Sequence, residues 1–307
     1  MIGQTPTGAL RLPESVFEGA AARPAQSYWS ESWERFRRNR VGMVALAVIV
    51  LMCLLAASAD LLSAYVTHWS YREQDLDQAF GLPSSHHWLG SDELGRDTLT
   101  RLLYGARISL SVGFLTVALA LTVGALVGLV AGYYGGILDG VLMRLVDMLL
   151  SIPSIFFFIL MAILIRPNAV TLSCIIASVG WGSLCRLVRG EVLSLRNRDY
   201  ILATRSLGAG DVRVLARHLF PTVAPVMIVA ASLLVGQVIL AEAALSFLGL
   251  GIQSPEASWG NMLSNAQTYF VRSPLQVILP GLCIFLTVLA VNAFGNALRD
   301  AFDPRLK

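Results

Sequence analysis

Long uncharged, apolar stretches alternate with short charged ones along most of this 307-residue chain. Bounded by the nearest ionisable residues, they run over 41–59, 108–138, 148–165, 167–185, 219–241 and 273–298. A helix needs about 20 apolar residues to cross the hydrocarbon core of a bilayer. The pattern therefore predicts an all-α polytopic membrane protein with six transmembrane helices. The second stretch is overlong, and Gly132-Tyr-Tyr-Gly-Gly136 is expected to end its helix before Asp139. Pro153, Pro225 and Pro280 lie inside stretches. They would break a helix in water, whereas neighbours in a bundle satisfy the freed carbonyls.

Composition agrees. Hydrophobic residues make up 55% of the chain and charged ones 14%, against about 25% charged in soluble domains, and the mean hydropathy is +0.65. A net charge of +3 is too small to imply nucleic-acid binding. The first 40 residues are polar and contain Pro6, Pro13 and Pro24, so the first apolar run reads as a retained span rather than a cleaved leader. Cys53, Cys174, Cys185 and Cys283 sit in or beside apolar runs with no CxxC pair, as small apolar packing residues do.

Charge placement orients the bundle. With the N-terminus inside, 17 of the 23 basic residues fall on the cytoplasmic side, as the positive-inside tendency requires. Both termini are then cytoplasmic and 60–107 is the main outside loop, with seven acids against four arginines. Its end, DTLTRLLYGAR, places Leu99, Leu102, Leu103 and Ala106 on one helical face with Arg101 off it, and Asp97 as N-cap. That predicts a helix lying at the interface before the second span. A second outside loop, 243–272, holds LSFLGLGIQSPEASWG.

On the cytoplasmic side, DYILATRSLGAGDVRVLARHLFP (199–221) is a structured, basic connection where a short turn would have sufficed. It divides at Gly208-Ala-Gly210 into two short helices. Asp199 caps the first, whose Ala203 and Leu207 share a face. Asp211 caps the second, in which Val212, Leu215, Ala216 and Leu219 form a stripe with Arg213 and Arg217 elsewhere. Pro221 stands where a new helix starts. The pattern fits two uses equally: an amphipathic element on anionic lipid, or a docking surface for a cytoplasmic protein.

The segment resembles the cytoplasmic loop of ATP-binding-cassette (ABC) importer permeases, whose pattern is Glu-Ala-Ala, three residues, Gly, nine residues, Ile-x-Leu-Pro. The aligned residues are Leu202-Ala203-Thr204, Gly208 and His218-Leu219-Phe220-Pro221. The spacing is kept, while Leu202, Thr204, His218 and Phe220 replace Glu, Ala, Ile and Leu. Three further stretches resemble the second (C-type) subunit of the oligopeptide/dipeptide subfamily: LGSDELGRDTLTRLLYGARISL (89–110), AEAALSFLGLGIQSPEASWGNML (241–263) and PGLCIFLTVLAVNAFGNALRDAFDPRLK (280–307).

The resemblance implies the ABC type I importer permease fold. It implies a tail over 1–40, a first span with outside loop over 41–107, and a five-helix core over 108–307 with a coupling loop over 186–220. In that family the loop docks on an ATP-hydrolysing subunit, which assigns contacts to Leu202, Ala203, Thr204, Arg205, Gly208, Asp211, Arg213, Arg217, His218 and Pro221. Implied partners are a paralogous permease subunit, two ABC ATPases and an extracytoplasmic substrate-binding protein, all in a bacterial inner membrane with its lipid. The chain itself binds no cofactor, ATP and Mg²⁺ belonging to the ATPases. A P-loop needs the lysine of GxxxxGK[ST], and the only lysine is Lys307.

Remaining candidates are few. Glu242 ends a 23-residue uncharged run, so it is a candidate for the translocation pathway or gate, against structural pairing at the outer interface. Asp147 is spaced to pair with Arg144 at i, i+3. His86-His87 invites a metal reading, but adjacent histidines rarely share a face, and a structural role is preferred. Trp181 and Trp259 suit packing or interface belts. The leading function is peptide import. Nickel, opines, glutathione or antimicrobial peptides are alternative cargoes, and an ion-coupled secondary transporter is the competing class, although neither buried ionisable residues nor repeats are clear. No paired carboxylates, nucleophile–base set or HExxH supports a membrane enzyme.

Overall fold

The computed structural model describes residues 28–303. Most of the tail expected over 1–40, and Pro304, Arg305 and Lys307 of the basic C-terminus, lie outside the described residues. Among the described residues there is no β-strand, only one isolated bridge, Ser91 with Asp97.

Each apolar stretch becomes a helix whose ends are set by local chemistry. After α1 (Tyr28–Arg38), the Asn39 side chain accepts from Gly42 N–H and starts α2 (Arg40–Ala57). Asp97 accepts from Thr100 N–H and starts α3 (Thr98–Tyr134). Gly135, at φ +67, then stops α3 inside the glycine-tyrosine run, as expected. The third stretch is not one straight span. α4 (Gly136–Ser151) and α5 (Ser154–Leu164) meet at an 81° bend, because Pro153 cannot donate to the ladder and pushes Ile152 into an extended conformation. Five helices are long and apolar enough to cross a membrane, six if α4 and α5 count as one.

The fourth and fifth spans overrun their expected bounds. α6 (Ala169–Leu195) continues nine residues past Arg186, the arginine that ends its uncharged stretch. It does so because Arg186 pairs with Asp147, and Arg189 binds Asp139 through two nitrogens at 2.5 and 2.6 Å. Asp147 therefore pairs across helices, not with Arg144. Beyond a short helix, α7 (Asp199–Ser206), the fifth span is part of one 37-residue helix, α8 (Asp211–Phe247). A short helix, α9 (Ala266–Arg272), and the last span, α10 (Leu275–Phe302), complete the fold.

The core is an α3–α6 pair wrapped by α8, α10 and α2. Gly124, Gly128 and Gly132 of α3 lie on one face, four residues apart. A Cβ on them would fall 2.8 Å from the Trp181 carbonyl, 2.7 Å from the Cys185 carbonyl and 2.8 Å from Val192 Cβ of α6. This is the small-residue spacing by which membrane helices approach closely. α1 lies across the end of α10: Tyr28 donates to the Phe302 carbonyl at 2.9 Å and Phe36 is buried against Ala297 and Ala301.

At the opposite end the two long loops form one layer. Arg72 pairs with Glu256 at 2.8 Å, and Gln276 donates to the Ser91 carbonyl. The acids that make the first loop look acidic are partly internal: Asp92 binds Arg96 at 2.7 Å and Arg101 at 3.3 Å, and Asp97 binds His87 at 3.1 Å. Arg101 is thus buried (4% exposed), as are Leu102, Leu103 and Ala106. Residues 98–107 do not form a separate interfacial helix. Asp92 neutralises Arg101, so these turns continue directly into α3.

Candidate functional site

Three chemical features build the elbow between α6 and α8. The first is a stop signal. α7 closes with the Ala209 N–H donating to the Thr204 carbonyl at 3.2 Å and the Gly208 N–H donating to the Arg205 carbonyl at 2.9 Å. With Gly208 at φ +85, this is the paired-bond helix end that favours glycine. The second is a start signal, in which Gly210 is extended and Asp211 lies in the first turn of α8. Asp199 and Asp211 are not side-chain caps; each sits in a first turn, where the helix dipole favours an acid. The third is a five-residue π-turn, Leu215–Leu219, immediately before Phe220-Pro221. Its wider loop absorbs the missing Pro221 donor, so Pro221 opens no new helix and α8 runs on.

The elbow is fixed to the bundle by one inner face. Ile201, Val214 and Leu219 are fully buried with Tyr133, Val188 and Val192. Tyr133 donates to Asp211 at 2.6 Å, and the Arg205 guanidinium lies 4.5 Å from its ring centroid. The stripe read from the sequence therefore splits. Leu219 and the half-buried Leu215 turn inward, while Val212 (78% exposed) and Ala216 turn outward. The outward face continues through Leu202, Ala203 and Leu207 (88% exposed), with Arg213 and Arg217 beside it. Thr204 and His218 are half-buried. Nothing within 4 Å occupies the space where a Gly208 Cβ would stand.

Glu242 is placed far from the elbow, in the last turns of α8, and is fully buried. Its two carboxylate oxygens accept from Ser109 at 3.0 Å and Ser246 at 2.8 Å. Those serines in turn accept from the Trp259 N–H at 3.2 Å and the Ile252 N–H at 3.1 Å. Trp259 is also buried, its indole donating to the Leu102 carbonyl at 3.1 Å. Glu242 thus anchors the loop that follows α8 onto α3. Two features passed unread in the sequence: the Gly124-Gly128-Gly132 seam, marked by its four-residue spacing, and Tyr133, which carries no signal beyond its place beside the glycine break.

Five or six helices long and apolar enough to cross a bilayer, joined to an elbow with an exposed apolar face, fit a membrane transport subunit. The chain belongs to the family of binding-protein-dependent transport system inner membrane components, whose model matches residues 120–307. Residues 27–83 match the N-terminal transmembrane domain of oligopeptide transport permease C. The chain is 37% identical to an oligopeptide transport system permease protein of Bacillus subtilis, over 96% of this chain and 99% of that one. It is 38% identical to a dipeptide transport system permease protein of the same organism, over 93% and 88%. It is 40% identical to a glutathione transport system permease protein of Pectobacterium atrosepticum, over 91% and 92%. The resemblance to the C-type permease subunit is borne out, and the chain is an inner-membrane ABC importer permease.

Proposed function

We propose that this chain is one half of the conduit of an ATP-driven importer for di- or oligopeptides. It crosses the membrane six times, α4–α5 forming one bent span, with both termini cytoplasmic. A paralogous permease subunit supplies the other half, two ABC ATPases bind ATP and Mg²⁺ below, and a substrate-binding protein delivers peptide to the paired outer loops. The observation that carries this reading is the elbow: its inner face is locked to α3 and α6, and its outer face is apolar, exposed and flanked by arginines. The names of the similar permeases support a peptide cargo.

The mechanism follows from this attachment. An ATPase that moves the outer face of α7 moves Tyr133 and Asp211 with it, and so the inner ends of α3 and α8. Because α8 is continuous from Asp211 to Phe247, the displacement reaches Glu242 and the outer loop without a flexible joint. Leu202 stands where the family has glutamate, and Arg205 is engaged with Tyr133, which leaves Arg213 and Arg217 to supply polar contacts to the ATPase. The test is uptake of a radiolabelled dipeptide by proteoliposomes holding the whole complex. Uptake that needs ATP and survives collapse of ion gradients supports the importer. Uptake abolished by an ionophore with ATP present favours an ion-coupled carrier.

A further inference from the structure

Four polar side chains inside the uncharged stretches meet at one place. Thr116 of α3, Ser154 of α5, Ser183 of α6 and Gln237 of α8 line a cavity of about 240 Å³, with Phe158 on its wall. No charged side chain among the described residues lines it. By the share of liquid volume each occupies, that space holds about eight waters, more than a structural water needs. Gln237 is exposed to it, and no group among the described residues hydrogen-bonds the Gln237 amide. An amide with two donors and two acceptor positions is costly to leave in hydrocarbon, so this one is met by water, a polar ligand or a polar group of the paired subunit.

A second, independent feature opens on the same cavity. α5 begins there, at the 81° break after Pro153. The Phe156 and Phe157 N–H groups return to the Pro153 carbonyl, while those of Ser154 and Ile155, in the first turn, have no carbonyl within the helix to reach. Irregular backbone at membrane depth is tolerated where it lines a water-filled cavity, and broken helices mark substrate sites in transporters.

We propose that this cavity is the chain's own substrate subsite, and that it binds the backbone amides of a peptide in transit. The proposal rests on the importer reading above. Its chemistry selects backbone over termini or side chains. Gln237 and Ser154 can each donate and accept, and Ser183, whose hydroxyl donates to the Gly180 carbonyl at 3.0 Å, can still accept, matching the N–H and C=O that every non-proline residue presents. With no charged group on the wall, neither an ammonium nor a carboxylate finds a counter-ion. A subsite of this kind passes peptides irrespective of their side-chain charge.

The experiment uses the complete complex in proteoliposomes, with radiolabelled trialanine as cargo and ATP hydrolysis measured in parallel. Gln237→Leu is expected to lower uptake at least tenfold while hydrolysis stimulated by the loaded binding protein changes less than twofold. Gln237→Asn, which keeps the amide, is expected to keep at least a third of the uptake. Unchanged uptake per ATP in Gln237→Leu overturns the proposal. Separately, Gln237→Cys in a chain whose four cysteines are replaced should react with a charged maleimide, and react more slowly during peptide transport. A thiol that never reacts overturns the proposal too. If the unmodified complex carries no peptide, the importer reading fails, while maleimide access still decides whether the cavity is an aqueous passage.

Discussion

The phenol of Tyr133, in the last turn of α3, donates a 2.6 Å hydrogen bond to the carboxylate of Asp211, in the first turn of α8. One side chain thereby joins the neighbouring ends of α3 and α8 at the elbow between α6 and α8, and its ring also carries Arg205 at 4.5 Å. Tyr133→Phe removes only the hydrogen bond, worth about 0.5–1.5 kcal/mol, or somewhat more with a charged acceptor. Tyr133→Ala removes the ring contact as well. The expected outcome is a small loss of transport per ATP in Tyr133→Phe and a severe one in Tyr133→Ala, with the amount of assembled complex little changed in the first. Equal transport per ATP in all three proteins would show that the tie transmits nothing.

Gly208 separates two possible roles for a glycine. A Cβ there meets nothing inside this chain, so within the subunit Gly208→Ala costs only the left-handed backbone at φ +85, about 1–2 kcal/mol. Gly208→Asn, which tolerates that region, costs less. If an ATPase approaches the glycine closely, Gly208→Leu abolishes ATPase retention on affinity purification while the subunit still inserts in the membrane. Gly208→Asn with normal retention and Gly208→Leu with none is the expected pair. Retention that follows backbone strain alone would place the ATPase elsewhere.

Gly128 tests the helix seam. Its added Cβ would stand 2.7 Å from the Cys185 carbonyl and 2.8 Å from Val188 Cβ, so Gly128→Ala forces α3 and α6 apart at about 1–3 kcal/mol. Thermal unfolding in detergent should show a lowered midpoint, with Gly128→Val lower still. Gly190 of α6 has open space around its Cβ position, and Gly190→Ala should leave the midpoint unchanged or raise it.

Asp60 gives a pH dependence at the end of the bundle away from the elbow. Hydrogen bonds from Arg107 and Tyr104 hold its carboxyl below the usual carboxylate range. The unfolded segment then binds protons more readily than the folded one. The contribution is present above the ordinary value of about 3.9 and is lost as pH falls through the lower folded value. Asp60→Asn should therefore lower the unfolding midpoint at neutral pH and show a shallower loss on acidification below about pH 4. Parallel acid profiles for the two proteins would remove Asp60 from the account.

Much of this fold was legible because uncharged length in a membrane chain has few other meanings. The helices over 41–59 and 273–298 and the stop at Gly135 emerged close to expectation. Two departures concern ionisable residues: the sequence places Arg186 past the end of the fourth span, and Arg101 off the packed face of an interfacial helix. Arg186 and Arg189 remain within α6 because Asp147 and Asp139 neutralise them, and Arg101 stays buried in α3 because Asp92 does the same. Such partners are distant in sequence and leave no periodic signal. At the elbow, helical spacing grouped Val212 with Leu215 and Leu219, whereas the π-turn rotates the face within those same residues. Glu242 was conspicuous as a charge, but its serine partners on α3 and one turn ahead on α8 belong to tertiary packing.

The central claim is that the outward face of the elbow is where an ATPase docks. Leu207 is 88% exposed at its tip, so Leu207→Cys in a chain lacking the four native cysteines is the most direct probe, with a short homobifunctional cross-linker reaching an engineered thiol in the ATPase groove. The account predicts cross-linking from position 207, none from Leu248→Cys at the far end of α8, and a change in yield when ATP binds. Equal or absent cross-linking from both positions, with the complex shown to be assembled, would contradict it.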